Sequence, residues 1–246
     1  MIIRTFGGGR RLSECERTVA LGLFGDKRIF ITPIPTTRDK IYITGSDVRL
    51  TELLTMLRSG DVVAGYNLPI EFLTIAEKKG ALVYDGATDE RFLKENAELT
   101  ARGTVGYILT HCDRDISDMS VGIVGYGRIG SDLVRWLLLY GAKIRVFTNR
   151  DQVMEELGRM EIGASYPYES DKLSELDLLI NTAPARQIDV SHLSEKCRII
   201  DLASGNIFDP DDRLIKLSSV PENYYPITSG RLYGEGILRK VRGEQQ

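Results

Sequence analysis

Gly125-Tyr126-Gly127-Arg128-Ile129-Gly130 has the spacing G-x-G-x-x-G, and the chemistry open to such a turn is the capture of a pyrophosphate by backbone N–H groups. Each glycine has its own task. Gly125 allows the tight turn, Gly127 lets the backbone approach the phosphates, and Gly130 lets the following helix pack close to the preceding strand. The pattern alone is weak evidence, because glycine-rich turns are common. Its setting is stronger: Val121 to Val124 form a short apolar run before it, Ser131 to Tyr140 continue as a helix, Gly141 stops that helix, and Lys143 to Phe147 supply a second strand. The helix start then points free N–H groups and a positive dipole end at the phosphates.

The tip of that second strand chooses between dinucleotides. A site for NAD places Asp or Glu there to accept hydrogen bonds from the ribose 2′-hydroxyl. Here the residues are Phe147-Thr148-Asn149-Arg150. No acid stands ready to repel a 2′-phosphate, Thr148 and Asn149 can donate to it, and the planar guanidinium of Arg150 can pair with it. The sequence therefore predicts NADP ahead of NAD; the competing reading makes Arg150 a solvated loop charge. Asp151 falls after the strand.

The elements that position this turn follow from the hydrophobic pattern. Strands are expected at Met1–Phe6, Arg28–Pro33, Lys40–Thr44, Asp61–Tyr66 and Ala81–Tyr84, with helices at Ser13–Leu23, from about Leu50 with Ser46 or Asp47 as its cap, and at Pro69–Lys79. Gly7-Gly8-Gly9-Arg10-Arg11 reads either as a tight turn opening the first helix, the favoured reading, or as an anion-binding nest. A long helix from Asp89 to about Cys112, interrupted by Gly103 and Gly106, links the halves. Beyond the glycine motif, helices are expected at Gln152–Met160, Asp171–Leu176 and Ser191–Lys196, and strands at Leu176–Thr182, Arg198–Leu202 and near Tyr224–Ile227. A loop at Thr228 to Arg231 and a terminal helix close the chain. Asn181-Thr182-Ala183-Pro184 and Ala203-Ser204-Gly205-Asn206 leave the carboxyl ends of strands, the edge where open α/β sheets bind ligands; ordinary turn chemistry is the competing reading.

The fold class is α/β with parallel sheets: residues 1–112 form a first domain with its connecting helix, 113–227 the dinucleotide-binding domain, and 228–246 a C-terminal helix that returns to the first domain in one arrangement. The chain has 246 residues, 42% hydrophobic and 27% charged, enough for two small cores, and a net charge of −3 that gives no argument for nucleic acid. Three cysteines, Cys15, Cys112 and Cys197, are far apart and form no C-x-x-C pair, so they read as incidental thiols in a reducing compartment. No apolar run approaches about 18 residues and no signal-peptide core opens the chain, which points to a cytoplasmic protein with no membrane partner.

Five segments in order, PIPTTRD at 33–39, ENAELTARGTVGYIL at 95–109, GIVGYGRIG at 122–130, LDLLINTAP at 176–184 and IIDLAS at 199–204, resemble the A subunit of dipicolinate synthase, an NADP-linked oxidoreductase family. The resemblance covers about residues 28–205. It implies a flavodoxin-like first domain followed by a Rossmann domain, as in D-2-hydroxyacid dehydrogenases, action on a small carboxylate, and, for a partner, a second, flavoprotein-like subunit. It further implies cofactor contacts at Gly125, Gly127, Arg128, Ile129 and Gly130, at Thr148, Asn149 and Arg150, and at Asn181, Thr182, Pro184, Ala203 and Ser204. Thr36, Thr37 and Arg38 would occupy a first-domain loop facing the substrate cleft. The family's proline- and glycine-rich C-terminal segment is replaced here by Thr228-Ser229-Gly230-Arg231-Leu232-Tyr233-Gly234.

A bound dicarboxylate needs planar cations, and Arg38, Arg186 and Arg231 are the expected ones, each in a loop beside a ligand edge; solvated surface charge is the competing reading for each. No acid–base residue announces itself. The two histidines, His111 at a helix end and His192 in a short helix, read as local contacts. There is no metal-ligand spacing and no nucleophile elbow. Two functions remain open: an NADP-dependent oxidoreductase, and a non-catalytic NAD(P)-binding module with a sensing or protein-interaction role. Domains of this kind often dimerise, and a homo-oligomer is a further expectation without a specified surface.

Overall fold

The structure is a computed structural model and describes residues 1–184, 188–205 and 207–244. Met1–Asn96 together with Pro221–Gln246 form one compact unit, and Ala97–Val220 form the other.

In the first unit, strands β1 (Ile2–Thr5), β2 (Arg28–Ile31), β3 (Val62–Gly65) and β4 (Leu82–Asp85) pair in parallel in the order β1-β2-β3-β4. Helices cover both faces, the expected flavodoxin-like architecture, although the order is sequential where flavodoxin has 2-1-3-4-5. Side chains alternate along each strand. Ile29, Ile31, Val62 and Ala64 meet Leu12, Cys15 and Val19 of α1 (Arg10–Gly22) and Tyr233 and Ile237 of the C-terminal helix. Phe30 and Val63 point the other way, onto Leu50, Leu53 and Leu54 of α2 (Leu50–Met56) and Phe72 and Ala76 of α3 (Ile70–Lys78). Helix α4 (Glu90–His111), which belongs to the second unit from Ala97 onward, is continuous through Gly103 and Gly106, correcting the expected interruption.

Three further expectations fail in this unit, each for a local reason. Lys40–Thr44 is no strand: it holds one isolated bridge, Tyr42 to Arg49, because the Asp39 carboxylate accepts the N–H groups of Ile41 at 2.8 Å and Tyr42 at 2.9 Å and folds the segment into a turn. The cap of α2 is Arg49, whose N–H donates to the Glu52 carboxylate at 3.0 Å; Ser46 instead accepts the Val48 N–H at 3.2 Å. The expected strand near Tyr224–Ile227 and the loop after it are helical, as α7 (Val220–Tyr224) and α8 (Pro226–Arg242). Pro226 presets the first turn of α8. Gly230, expected in that loop, and Gly234 are the points where α8 lies on α1: a Cβ at Gly230 would collide with the Arg11 carbonyl oxygen, and one at Gly234 with Thr18.

In the second unit, β5 (Ser120–Val124), β6 (Lys143–Phe147), β7 (Gly163–Ser165), β8 (Leu178–Asn181), β9 (Arg198–Asp201) and β10 (Leu214–Lys216) form one parallel sheet in the order β10-β9-β8-β5-β6-β7. Numbered from β5, this is the 3-2-1-4-5-6 order of dinucleotide-binding sheets, with its reversal between β5 and β8. Helix α5 (Arg128–Leu139) follows the glycine motif and buries Leu133, Val134 and Leu137; α6 (Asp151–Arg159) buries Val153 and Leu157. Strands β7 and β10 are short and nearly featureless in sequence, and both escape the hydrophobic pattern. The helices expected at Asp171–Leu176 and Ser191–Lys196 are single 3-10 turns, Ser170–Lys172 and Val190–His192, the second held by the Asp189 carboxylate accepting the Ser191 N–H at 3.0 Å. Among the described residues no helix is long and apolar enough to cross a membrane.

Candidate dinucleotide site

The carboxyl ends of β5, β8, β9 and β10 lie in one register row, Val124 beside Asn181, Asn181 beside Asp201, and Asp201 beside Lys216, with Phe147 of β6 on the other side of Val124. Gly125 leaves the row at φ 89° and donates its N–H to the Phe147 carbonyl at 2.9 Å. A Cβ at Gly130 would collide with the Gly125 carbonyl oxygen, so the close approach of α5 to the turn requires glycine there. Gly127 differs. It caps α5 in an extended conformation with no side-chain cap, and a Cβ there would meet nothing within 4 Å. The space over Gly127 is open and the cap residue offers the helix start no side chain, an arrangement that leaves room for a phosphate. Arg128 is exposed in the first turn, and Ile129 is partly buried against the core.

Arg150 is exposed at the tip of β6 and donates from Nη2 to the Tyr126 carbonyl, inside the glycine turn. The tip cation is thereby held beside the backbone of the glycine turn. Asn149 is exposed next to it; Thr148 is 3% exposed and its hydroxyl accepts the Arg150 N–H at 3.2 Å, so it shapes the turn from inside. The nearest acid, Asp151, accepts the Tyr166 hydroxyl at 2.7 Å, and that bond pushes the Tyr166 phenol up.

On the other side of the reversal, Thr182 donates to the Val124 carbonyl at 2.8 Å and ties the β8 loop to the glycine turn. Asn181 is 1% exposed. Its amide donates to Ala183 O at 3.1 Å and to the Asp201 carboxylate at 2.8 Å, and its carbonyl accepts the Ala183 N–H at 3.2 Å. Asp201, also 1% exposed, accepts the Ala203 N–H at 3.1 Å and the Lys216 ammonium at 2.6 Å. Lys216 completes its three bonds on the carbonyls of Ala203 and of Gly205, the latter at 2.6 Å. Asn181 and Asp201 are thus buried posts that shape the two loops, while Pro184 and Ser204 are exposed on them. The sequence carried no signal for Lys216, because β10 itself was not legible.

The cations and hydroxyls expected to meet a carboxylate are placed otherwise. Thr36 is fully buried: its hydroxyl pairs with Thr32 at 2.8 Å and accepts the Tyr66 N–H at 2.7 Å, so it stitches the loop after β2 to the end of β3. Thr37 donates to Asp39 at 3.1 Å, and Arg38 is exposed. Arg231 lies on α8 rather than in a loop, 3.8 Å from Glu235. Arg186 and Asn206 lie outside the described residues. His111 stacks on Tyr107 at 4.0 Å and hydrogen-bonds to the Tyr107 carbonyl at 3.0 Å, closing the end of α4. His192 ends a 3-10 turn, 4.0 Å from Asp189. Burial pushes the Cys197 thiol up to about 12 and raises Cys15 as well, which keeps both unreactive. Among the described residues no group of three or more His, Cys, Asp or Glu side chains could hold a metal ion.

Comparison with protein-family models gives no match, and comparison with curated proteins gives none either. Solved structures do match. The A subunit of dipicolinate synthase from Bacillus halodurans aligns over 99% of this chain and 98% of its own, with TM-score 0.82 at 18% identity. Its counterpart from Bacillus subtilis aligns over 99% and 96%, with TM-score 0.81 at 17% identity. A D-isomer specific 2-hydroxyacid dehydrogenase from Xanthobacter autotrophicus Py2, solved in complex with NADPH and MES, aligns over 99% and 96%, with TM-score 0.58 at 12% identity. At these identities the likeness establishes the fold.

Proposed function

We propose that the second unit binds NADP(H) and that the chain is an oxidoreductase acting on a small carboxylate, in the manner of the dipicolinate synthase A subunit. The observation that carries this reading is the pairing of an open, uncapped α5 start at Gly127 with a guanidinium, Arg150, held against the glycine turn where an acid would select NAD. The residues fit the group. The N-terminus of α5, with Gly125, Gly127, Arg128, Ile129 and Gly130, would hold the pyrophosphate; Asn149 and Arg150 would hold the 2′-phosphate; Thr182, Pro184, Ala203 and Ser204 would line the nicotinamide end, shaped from beneath by Thr148, Asn181 and Asp201. When bound, the nicotinamide accepts or supplies a hydride. The fold matches to dehydrogenases and to the A subunit of dipicolinate synthase support the oxidoreductase class. A flavoprotein-like second subunit is part of this reading, and co-purification with such a protein tests it.

Calorimetric titration with NADPH and NADH is the direct test. NADPH should bind more tightly, and Arg150→Ala should weaken NADPH about tenfold or more while leaving NADH unchanged, since a charge-assisted bond is worth roughly 1.5–3 kcal/mol. Equal or tighter NADH binding removes the preference for NADP. Failure of both nucleotides to bind removes the whole proposal.

A further inference from the structure

Arg11, in the first turn of α1, is 4% exposed. A guanidinium carries five N–H donors and no acceptor. Here Nη2 donates to the neutral amide oxygen of Asn96 at 3.1 Å, Nε has no partner, and no carboxylate among the described residues reaches ion-pair distance. The groups facing it are Glu222, Tyr233, Cys15 and Tyr66; burial depresses the guanidinium, and Glu222, the acid among the four, opposes that without pairing. The same unit handles its other buried guanidinium differently: Arg239, 7% exposed, meets the fully buried Asp89 carboxylate at 2.8 Å. A buried charge without a counter-ion is destabilising, and an apolar side chain of the same size would serve the core better. Arg11 therefore costs stability that the fold does not recover.

Its place in the fold says what recovers it. Arg11 follows the carboxyl end of β1, at the sheet edge where parallel α/β sheets take ligands. The turn before it, Gly7-Gly8-Gly9, is exposed; a Cβ at Gly8 would meet nothing within 4 Å, the cap Gly9 offers no side chain to the helix start, and the first turn carries no acid. The loop after β2 packs on this turn, with the Thr44 carbonyl 3.0 Å from a Cβ built at Gly7, and the buried Thr44 hydroxyl also lacks a partner. Two buried donor groups without a partner thus belong to segments that adjoin one open glycine turn, Arg11 following it in sequence and the Thr44 segment packing on it.

We propose that Arg11 is the carboxylate-binding residue of this chain, receiving a small organic mono- or dicarboxylate through the Gly7–Gly9 turn, with Thr44 as a second donor. That this ligand is the substrate rests on the oxidoreductase reading above; that the site takes a carboxylate does not. Glu222, whose carboxylate lies 3.1 Å from a Cβ built at Gly9, is the negative charge such a ligand must displace.

The test uses the full chain, with dipicolinate, malonate and succinate as calorimetric probes at fixed ionic strength and NADPH titrated separately. At least one dicarboxylate should bind the wild-type chain, Arg11→Met should weaken it at least tenfold without lowering the melting temperature or the NADPH affinity, and Glu222→Gln should tighten it several-fold. The proposal is overturned if none of the three acids binds, if Arg11→Met binds them as the wild type does, or if that variant melts more than about 5 °C lower, which would make Arg11 a structural charge. Should Arg11→Met not fold, Glu222→Gln decides, and unchanged affinity in it overturns the proposal. Loss of NADPH binding alone would sink the nucleotide reading and leave the carboxylate arms standing.

Discussion

Gly127 and Gly130 separate two reasons for a glycine that the sequence pattern merges. Gly130 is required by the protein itself, because its Cβ would strike the Gly125 carbonyl; Gly127 faces open space. Gly130→Ala should therefore lower the melting temperature, whereas Gly127→Val should fold with a wild-type melting curve and lose NADPH binding in calorimetry. Retained affinity in Gly127→Val would make the turn merely structural. The glycine spacing and the absence of an acid at the tip of β6 were legible because they are local chemistry. The inward turn of Thr36 and Thr148 was not, since a threonine in a loop reads the same whether its hydroxyl bonds to its own backbone or to a ligand.

Two networks tie elements together, and each has a measurable consequence. Lys216 spends all three of its protons on Asp201, Ala203 and Gly205, so it is a positioning residue with no proton left to offer a substrate. Lys216→Met should release the loop after β9 and weaken NADPH about tenfold, the size of one hydrogen bond that the displaced loop no longer makes to the nucleotide, while 2′,5′-ADP, which lacks the nicotinamide end, binds as before; equal losses for both would point to a general structural defect. Asp89 ties the start of α4 to α8 through Arg239 and to β4 through the Tyr84 hydroxyl at 3.0 Å. Burial alone would raise its carboxyl, but the Phe92 N–H, the Arg239 guanidinium and the Tyr84 hydroxyl outweigh burial and hold it below its ordinary value. A depressed carboxyl contributes stability that is full above the unfolded value of about 3.9 and is lost as pH falls through the lower folded value. Acid titration of the wild type should show that loss and Asp89→Asn should not; at neutral pH the variant should be about 3 kcal/mol less stable by denaturant melting, because a buried pair is broken. Helices with a strong apolar stripe and strands with apolar runs were readable. Strands β7 and β10 were not, because three-residue edge strands owe their existence to the neighbour they pair with.

The first unit is discontinuous in sequence, since α8 returns to pack on α1 and supplies Tyr233 and Ile237 to the core under β2 and β3. Deleting residues 221–246 should therefore unfold that unit, while the separately expressed 97–220 segment, with its own sheet and cores, should keep a cooperative melt and bind NADPH; loss of both would mean that the second unit does not fold by itself. By itself the sequence determined the parallel α/β class, the glycine turn between β5 and α5 and the cation at the tip of β6, because each is written in residues within about thirty positions of one another, where spacing and propensity govern. Only the tertiary structure decided that Gly230 and Gly234 are helix contacts, that Asn181, Asp201 and Lys216 form one row across three strands, and that Arg11 is buried without a counter-ion. Those facts depend on which distant segments share a neighbour, and burial, which sets the cost of a charge, exists only once the chain has folded.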